Sequence, residues 1–145
     1  MADLLDASVW LPLSAEGHVH HTRAREYWSV ESAEQIAFCR VTMLALLRHL
    51  GNQRIMGPDV QTTGQAWKIY QRWRDLPDVL YAPEPDGVEQ QLAEWSDTLN
   101  LGSRQWTDAY LAAFAAAGGH RLVAFDADLK RFPGLDLLHL RPSSP

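Results

Sequence analysis

Residues 107–128 read TDAYLAAFAAAGGHRLVAFDAD, and this stretch decides the fold. Its alanine-rich part, residues 107–117, predicts a helix that ends at the glycine pair 118–119. Its apolar part, residues 121–125, predicts a short strand, and Asp126 follows directly. A helix that leads into a strand is typical of a parallel α/β unit, so we expect Asp126 at the carboxyl end of a strand.

The rest of the chain repeats this alternation of short apolar runs and segments of helical period. Strands are predicted over residues 2–6, 35–39, 78–82, 121–125 and 136–140, and helices over 20–30, 41–50, 62–74, 86–99 and 107–117. This order predicts an α/β sandwich with a mostly parallel central sheet. Ligands of such sheets bind outside the carboxyl ends of the strands, so that edge is where we look for a site.

The composition bounds the class of protein. The chain has 145 residues, 46% of them hydrophobic and 21% charged, and a net charge of −5. These values predict one domain, residues 1–140, followed by a short flexible tail at 141–145. The acidic total argues against a protein that coats DNA nonspecifically. The single cysteine, Cys39, excludes an internal disulfide framework, and no apolar run reaches the length of a membrane span, so we expect a cytoplasmic protein.

Acidic side chains follow two of the predicted strands. Asp6 ends the first strand, Asp126 ends the fourth, and Asp128 lies two residues further on. Asp108 begins the alanine-rich helix and projects towards the same edge. Crowded carboxylates repel one another unless a hard cation neutralises them, and Mg²⁺ or Mn²⁺ prefers such oxygen ligands. Taken singly, each acid is also explained as a turn residue or a helix cap.

Several other residues could have functional roles, but a structural explanation accounts for each of them as well. His18, His20 and His21 form a cluster that we expect in a solvated loop, and Cys39 is expected to be a small buried residue. Trp73 lies on a helical core stripe, whereas Trp67 lies off it and is either packed on the flank of the core or part of a protein interface.

Three segments together resemble one known family. Leu4-Leu-Asp-Ala-Ser-Val-Trp-Leu11 is similar to the opening segment of PIN domains, and Leu46-Leu-Arg-His-Leu-Gly-Asn-Gln-Arg54 resembles the second-helix segment of a VapC-type toxin subgroup. The strongest likeness is in residues 107–115 and 122–135. The segments keep the family's order and cover the chain nearly end to end.

This resemblance implies a PIN-like three-layer α/β/α sandwich and a metal-dependent ribonuclease, the toxin of a toxin–antitoxin pair. It implies that Asp6, Asp108 and Asp126 form the metal site and that Asp128 is an additional acid. It also implies Mg²⁺ (or Mn²⁺) as cofactor, RNA as substrate, hydrolysis by a metal-activated water, a VapB-like antitoxin as partner, and a homodimer.

The chain departs from the family at one position. Many PIN domains have a glutamate in the second helix, two residues before an arginine, and Leu46 occupies that position before Arg48. One expected carboxylate is therefore missing. A PIN-fold module that binds RNA or a partner with weak or no cleavage is the serious alternative, and weak Mg²⁺ binding with intact RNA affinity would favour it.

Candidates for substrate contact come from the remaining polar residues. Ser8 follows the first strand and could hydrogen-bond a phosphate, although a hydroxyl there is often only a cap. The basic candidates for RNA phosphates are Arg40, Arg48, Arg54, Lys130 and Arg131, for which solvated surface charge is the competing explanation.

Two other enzyme classes have acids at a sheet edge. A phosphoacceptor receiver domain needs paired acids after the first strand and an aspartate at the end of the central strand. A haloacid-dehalogenase-type phosphatase needs Asp-x-Asp after the first strand. Asp6 is followed by Ala7 and Ser8, and residues 79–82 contain no acid, so the sequence supports neither class.

Overall fold

A five-stranded sheet lies between two layers of helices in the computed structural model, which describes residues 2–142. The strands of this part of the chain are β1 (Asp3–Leu5), β2 (Ile36–Phe38), β3 (Val79–Tyr81), β4 (Arg121–Ala124) and β5 (Leu137–His139). Their order is β3-β2-β1-β4-β5, and each neighbouring pair is parallel. The predicted α/β sandwich with a mostly parallel central sheet is confirmed.

The helices alternate with these strands along the chain. They are α1 (Ala7–Ser14), α2 (His21–Glu26), α3 (Arg40–Leu50), α4 (Gln53–Met56), α5 (Thr63–Asp75), α6 (Val88–Thr98) and α7 (Trp106–Gly118). A π-helical turn, Tyr27–Glu31, extends α2, and 3₁₀ turns cover Gly57–Asp59 and Ala127–Arg131. The predicted helices are present, with ends that differ by a few residues at most, except that the helix predicted over 20–30 divides into α2 and the π-helical turn.

Helix α1 is not among the helices predicted from the sequence, the first of which covers residues 20–30. The helix starts immediately after β1, and Asp6 is its N-cap residue. Pro12 lies inside it, and a proline there cannot donate the backbone hydrogen bond to the carbonyl of Ser8. Because of this proline, the sequence does not indicate a helix here. Tertiary packing stabilises the helix, since Val9, Trp10 and Leu13 are buried.

The sheet buries a different set of side chains on each face. Leu4 and Leu122 pack with Trp95 of α6 and with the alanine-rich face of α7. The next residues in their strands, Leu5 and Val123, point to the other face, where they pack with Trp10 of α1 and with α3 and α5. Two cores on opposite faces of one sheet make this a three-layer sandwich.

Strands β1 and β4 are neighbours at the point where the chain changes direction across the sheet. The chain runs from β1 outwards to β2 and β3, then returns to β4 and β5 on the other side of β1. The register pairs Asp3 with Arg121 and Leu5 with Val123, and the Asp6 N–H donates to the Val123 carbonyl over 2.9 Å. Such a change of direction opens a crevice at the carboxyl ends of the strands.

The opposite end of β1 holds a buried ion pair. Arg121 donates from Nε and Nη2 to the two carboxylate oxygens of Asp3, over 2.8 Å each. The Tyr27 hydroxyl and the Ala33 N–H donate to the same carboxylate. Burial by itself would raise the pKa of Asp3, but these hydrogen bonds bring it below its usual value. This end of the sheet is therefore closed and electrostatically satisfied.

The end of the chain lies partly outside the described residues. Of the tail predicted at 141–145, Arg141 accepts a hydrogen bond at its carbonyl from Arg23 Nε over 3.1 Å, and residues 143–145 lie outside the description. Within residues 2–142, no helix has the length and apolarity that crossing a membrane requires.

Candidate active site

Asp6 lies where β1 passes into α1. Its backbone is extended and its carboxylate accepts from the Ser8 N–H over 3.3 Å, which caps the helix. Burial raises the pKa of Asp6, and the neighbouring charge of Asp126 raises it further, while hydrogen bonds from Ser8 oppose this shift. Within the part of the chain that the structure describes, no cation forms an ion pair with this carboxylate.

Asp126 follows β4 and caps the next 3₁₀ turn. Its Oδ1 accepts from the Asp128 N–H over 2.9 Å, which fixes one carboxylate oxygen. The preceding residue, Phe125, donates its N–H to the Ser8 hydroxyl oxygen over 3.1 Å. Ser8 therefore connects α1 to the end of β4, and the loops that carry Asp6 and Asp126 are held together.

Asp108 lies in the first turn of α7, which packs on the opposite face of the sheet from α1. Burial raises its pKa to about 6, and the charges of Asp126, Asp6 and Asp128 contribute in that order. A helix N-terminus would by itself favour the carboxylate form, so the raised pKa of Asp108 reflects burial first and the crowding of acids second. Three elements that are distant in sequence thus bring acids into one electrostatically coupled group.

A cavity of about 370 Å³ lies between these acids and helix α3. Asp6, Asp126 and Asp108 line one side, and the other side is formed by Ala45, Arg48 and His49 of α3. The remaining lining residues are Ala7, Ser8, Leu11, Ile55 and Thr107. The cavity thus has an acidic side and a side with a cation and an imidazole, an arrangement that suits a phosphodiester bound next to a divalent cation.

Five of the predicted site residues line this cavity: Asp6, Asp108, Asp126, Ser8 and Arg48. The other five are outside the lining formed by the described residues: Arg40 begins α3, Arg54 lies in α4, and the remaining three lie in the 3₁₀ turn Ala127–Arg131. Asp128 and Lys130 are exposed to solvent, and Arg131 donates from Nη2 to the Leu99 carbonyl over 2.8 Å. The structure thus places Arg131 in a contact with the loop that precedes α7.

The residues of α3 that line the cavity are not all the ones expected from the sequence. Leu46, the residue at the expected glutamate position, is fully buried in the core, and Ala45 faces the cavity instead. Both are apolar, so the absence of a carboxylate on this wall stands. His49, one turn after Ala45, was missed; its Nδ1 is buried without a hydrogen-bond partner among residues 2–142. The only indication in the sequence that His49 lines the cavity is its i, i+4 spacing from Ala45, which puts both residues on one face of α3.

The other residues singled out in the sequence have structural roles. The histidine cluster is less solvated than expected: His20 stacks on Phe125, with ring centroids 4.6 Å apart, and His21 Nδ1 lies 2.7 Å from the Pro12 carbonyl. Cys39 is buried, as predicted. Trp73 packs at the core and donates from Nε1 to the Ser14 hydroxyl oxygen over 2.8 Å, whereas Trp67 is 44% exposed.

The donor set suits a hard divalent cation. The acids that line the cavity offer carboxylate oxygens, and neither ion pair found within residues 2–142 involves them, so their charge is not neutralised in that part of the chain. In the side-chain positions that the structure gives, no three carboxylates, imidazoles or thiols of residues 2–142 converge closely enough to share one ion. The residues fit such an ion in chemistry and location, and rotation of side chains would be needed to bring them around it.

Comparisons with known proteins agree with this architecture. The family model of the PIN domain matches residues 4–135. Ribonuclease VapC41 of Mycobacterium tuberculosis is 38% identical over 141 residues, which cover 92% of this chain and 95% of that protein.

Solved structures share the fold at low sequence identity. The crystal structure of Mycobacterium tuberculosis VapC20, described as a sarcin-ricin loop cleaving toxin, superposes with a TM-score of 0.69 at 18% identity and covers 93% of this chain and 98% of VapC20. A chain of VapBC2 from Rickettsia felis, bound to a DNA fragment from its promoter, gives a TM-score of 0.68 at 15% identity over 97% of this chain and 99% of that one. With the fold, the strand-end acids and these matches in agreement, the chain belongs to the PIN-domain family and, within it, to the VapC ribonucleases.

Proposed function

We propose that this protein is a divalent-metal-dependent endoribonuclease, the toxin of a toxin–antitoxin pair. The observation that supports this most strongly is the cavity itself. Asp6, Asp108 and Asp126 reach it from β1, α7 and β4, and the pKa values of Asp6 and Asp108 are raised by burial and by the charges of their acidic neighbours. A protein that keeps uncompensated acids together in a solvent-accessible cavity is suited to bind a cation there.

The cofactor we propose is Mg²⁺, with Mn²⁺ as a substitute, held by Asp6, Asp108 and Asp126. An ion of this kind supplies charge stabilisation to phosphoryl oxygens and lowers the pKa of water. Asp128 has a supporting role: its N–H holds Asp126 Oδ1, and its charge adds to the crowding at Asp108. We therefore expect substitutions of Asp128 to affect cleavage less than substitutions of the three cavity acids.

The remaining cavity residues would bind and orient the RNA. Arg48 faces the acids across the cavity and is the side chain we assign to a phosphate oxygen of the substrate. Ser8 contributes by position, because its hydroxyl oxygen accepts from the Phe125 N–H and so fixes the backbone just before Asp126. Lys130 is exposed beside the site and is proposed as a peripheral phosphate contact.

The relatives support the choice of substrate and partner. VapC41 is named a ribonuclease and VapC20 a toxin that cleaves the sarcin-ricin loop, which supports RNA as the substrate here. VapBC-5 of Mycobacterium tuberculosis, whose structure shares this fold, is described as a member of the VapBC family of toxin–antitoxin systems, which supports a VapB-like antitoxin. We also propose that the protein acts in the cytoplasm as a homodimer, and sedimentation of the purified chain would test the dimer.

One specific observation favours a second candidate, an RNA-binding module with weak or no cleavage. Helix α3 presents Ala45, Arg48 and His49 to the cavity, so this wall contributes a cation and an imidazole but no carboxylate. Fewer carboxylate ligands lower the affinity for Mg²⁺. Calorimetric titration with Mn²⁺, beside a measurement of RNA affinity, separates the two candidates, because the binding module would bind RNA normally and the ion poorly.

RNA cleavage by purified variants tests the proposal directly. We expect wild-type protein to cleave RNA with Mg²⁺ and not with EDTA. Asp6→Asn or Asp126→Asn should lower the rate at least about a hundredfold, since a catalytic metal ion contributes several kcal/mol. Asp97→Asn, at an exposed acid of α6, is the matched control and should cleave normally. Cleavage that persists in EDTA, or that survives Asp126→Asn, would contradict the metal-dependent mechanism.

A further inference from the structure

A row of alternating basic and aromatic side chains runs across α3, β3 and α5. Arg40 Cζ lies 4.7 Å from the ring centroid of Tyr81, and Arg74 Cζ lies 5.6 Å from the same centroid. Arg74 Cζ is also 5.9 Å from the centroid of Tyr70, whose ring lies 5.3 Å from that of Trp67. We call these five residues the basic–aromatic row.

The positive charges of the row are uncompensated. The ion pairs found within residues 2–142 are Arg23–Glu31 and Arg121–Asp3, so neither Arg40 nor Arg74 has a carboxylate partner in that part of the chain. Both arginines are exposed to solvent. Arg40 and Arg74 are therefore available to an external anion, although the protein has a net charge of −5.

The row is also anchored, because its aromatic members connect it to the core. Tyr70 is buried, and its ring makes an edge contact with Phe38, with centroids 4.9 Å apart. Its hydroxyl accepts from Arg74 Nη1 over 2.8 Å. At the end of the row Trp67 is 44% exposed, so part of a large aromatic surface is open to solvent. The arginines are thus held in place while the terminal indole remains available.

The location of the row connects it to the candidate active site. Arg40 follows β2 and Tyr81 ends β3, so both lie at the carboxyl edge of the sheet, where Asp6 and Asp126 also lie. Helix α3 begins with Arg40 and reaches the cavity with Arg48. A chain bound in the cavity can therefore continue along one helix and one sheet edge to the row.

We propose that the basic–aromatic row binds the single-stranded part of the RNA substrate next to the cleaved phosphodiester. This inference rests on the ribonuclease function proposed above. Arginines restrained over aromatic rings bind phosphates, and an exposed indole stacks on an unpaired base, which is how proteins recognise single-stranded nucleic acid. A base paired within a duplex cannot offer its face to Trp67, so the row selects unpaired RNA.

A second copy of this chain fits the row less well. A dimer formed through the row by two-fold symmetry would place the patch against itself. Arg40 and Arg74 of one protomer would then meet the same cations of the other without carboxylates from the row to neutralise them. Juxtaposed like charges oppose association, whereas the phosphates of RNA complement them.

RNA binding measured in EDTA tests the proposal without cleavage. The probe is a short fluorescein-labelled single-stranded RNA of mixed sequence, followed by fluorescence anisotropy across a salt series. The double variant Arg40→Gln/Arg74→Gln should bind more weakly, and its plot of log affinity against log salt should be shallower by about 1.4, from about 0.7 for each lost phosphate contact. The double variant Arg25→Gln/Arg141→Gln removes the same charge from exposed arginines outside the row and should keep the wild-type slope.

The indole is tested separately. Trp67→Ala should raise the dissociation constant for the single-stranded probe at least about fivefold, and Trp67→Phe should recover most of the affinity because it keeps a stacking surface. The affinity for the same sequence as a duplex should not respond to either substitution.

Three results would overturn the inference. The first is unchanged RNA affinity in the row variants while Asp126→Asn still abolishes cleavage, which would leave the proposed function intact. The second is a change from dimer to monomer in the sedimentation of the row variants, which would assign the row to contact between copies of the chain. The third is a wild-type protein that binds no RNA in EDTA, which would remove the inference, while cleavage with Mg²⁺ would still decide the proposed function separately.

Discussion

The two ends of strand β1 each hold a buried or partly buried aspartate, and the protein treats them in opposite ways. Asp3 is 1% exposed and receives hydrogen bonds from Arg121, Tyr27 and the Ala33 N–H, so its pKa is lowered. Asp6, three residues later, is bonded by Ser8 but has acids as its charged neighbours, and its pKa is raised.

The difference separates a charge that the fold neutralises from one that it leaves beside other acids. At the amino end the fold supplies the cation, so the charge of Asp3 contributes to stability. At the carboxyl end the fold brings acids together and leaves their charge uncompensated, which lowers stability and is where we propose that an external cation binds. Burial alone does not distinguish the two sites, whereas the sign of the pKa shift does.

Removal of the cation at the amino end should have the largest effect on stability. Arg121→Ala leaves the Asp3 carboxylate buried without a counter-charge, and we expect the free energy of unfolding to fall by about 3–5 kcal/mol. Urea unfolding followed by tryptophan fluorescence measures this loss. A loss below about 1 kcal/mol would show that the pair is worth no more than a surface ion pair and would break the comparison.

Addition of a cation at the carboxyl end should have the next largest effect. Mg²⁺ at a hundredfold excess over its dissociation constant should stabilise the folded protein by about 2.7 kcal/mol, because it binds the folded chain alone. Thermal unfolding with and without the ion measures the shift, and Asp6→Asn should reduce it. Equal stabilisation of wild type and Asp6→Asn would place the ion elsewhere.

A smaller change at the amino end tests how the Asp3 charge is shared. Tyr27→Phe removes the hydroxyl that donates to Asp3 over 2.5 Å and leaves Arg121 in place. Loss of a hydrogen bond to a charged group should lower the free energy of unfolding by about 2 kcal/mol. Chemical denaturation of the variant checks this value, and RNA cleavage by the folded fraction should be unchanged.

The smallest predicted effect is an opposite response of the two ends to pH. The pKa of Asp108 is about 6 in the folded chain against 3.8 for the free group, so the folded state binds more protons between these values. Stability from Asp108 therefore falls as pH rises from 3.8 to 6. Asp3 has a lowered pKa, so its contribution is present above 3.8 and is lost as pH falls below it.

Asp108→Asn distinguishes these two contributions. At neutral pH and without divalent ions, the variant should be more stable than wild type by up to about 1 kcal/mol, because solvent screens part of the repulsion. Denaturation at several pH values checks this, and the gain should disappear near pH 4, where the carboxyl of the wild type is protonated. A variant that is less stable than wild type at neutral pH would contradict the raised pKa.

Much of the carboxyl end could be predicted from sequence, because local rules determine it. Asp6 and Asp126 follow apolar runs that can only be buried strands, and Asp108 begins a helix whose alanine face must pack on the sheet. The amino end could not be predicted in this way. Asp3 and Arg121 are far apart along the chain and meet only through the pairing of β1 with β4.

The walls of the cavity were also beyond sequence reasoning. Pro12 argued against a helix at α1. The turn of α3 that faces the acids depends on how α3 packs against α1 and α5. For this reason the sequence comparison pointed only to Leu46, at the position of the family's glutamate, whereas Ala45 and His49 are the residues that line the cavity.

The pairing of β1 with β4 has a consequence for how this protein can change. One register sets Asp3 beside Arg121 and also joins Asp6 to Val123, the residue three places before Asp126. Because side chains alternate between the faces of a strand, a slip of one residue would turn every one of them to the wrong side. A one-residue insertion or deletion in either strand would disrupt the Asp3–Arg121 ion pair and the group of cavity acids together, so the lengths of these two strands are more constrained than those of loops away from the cavity.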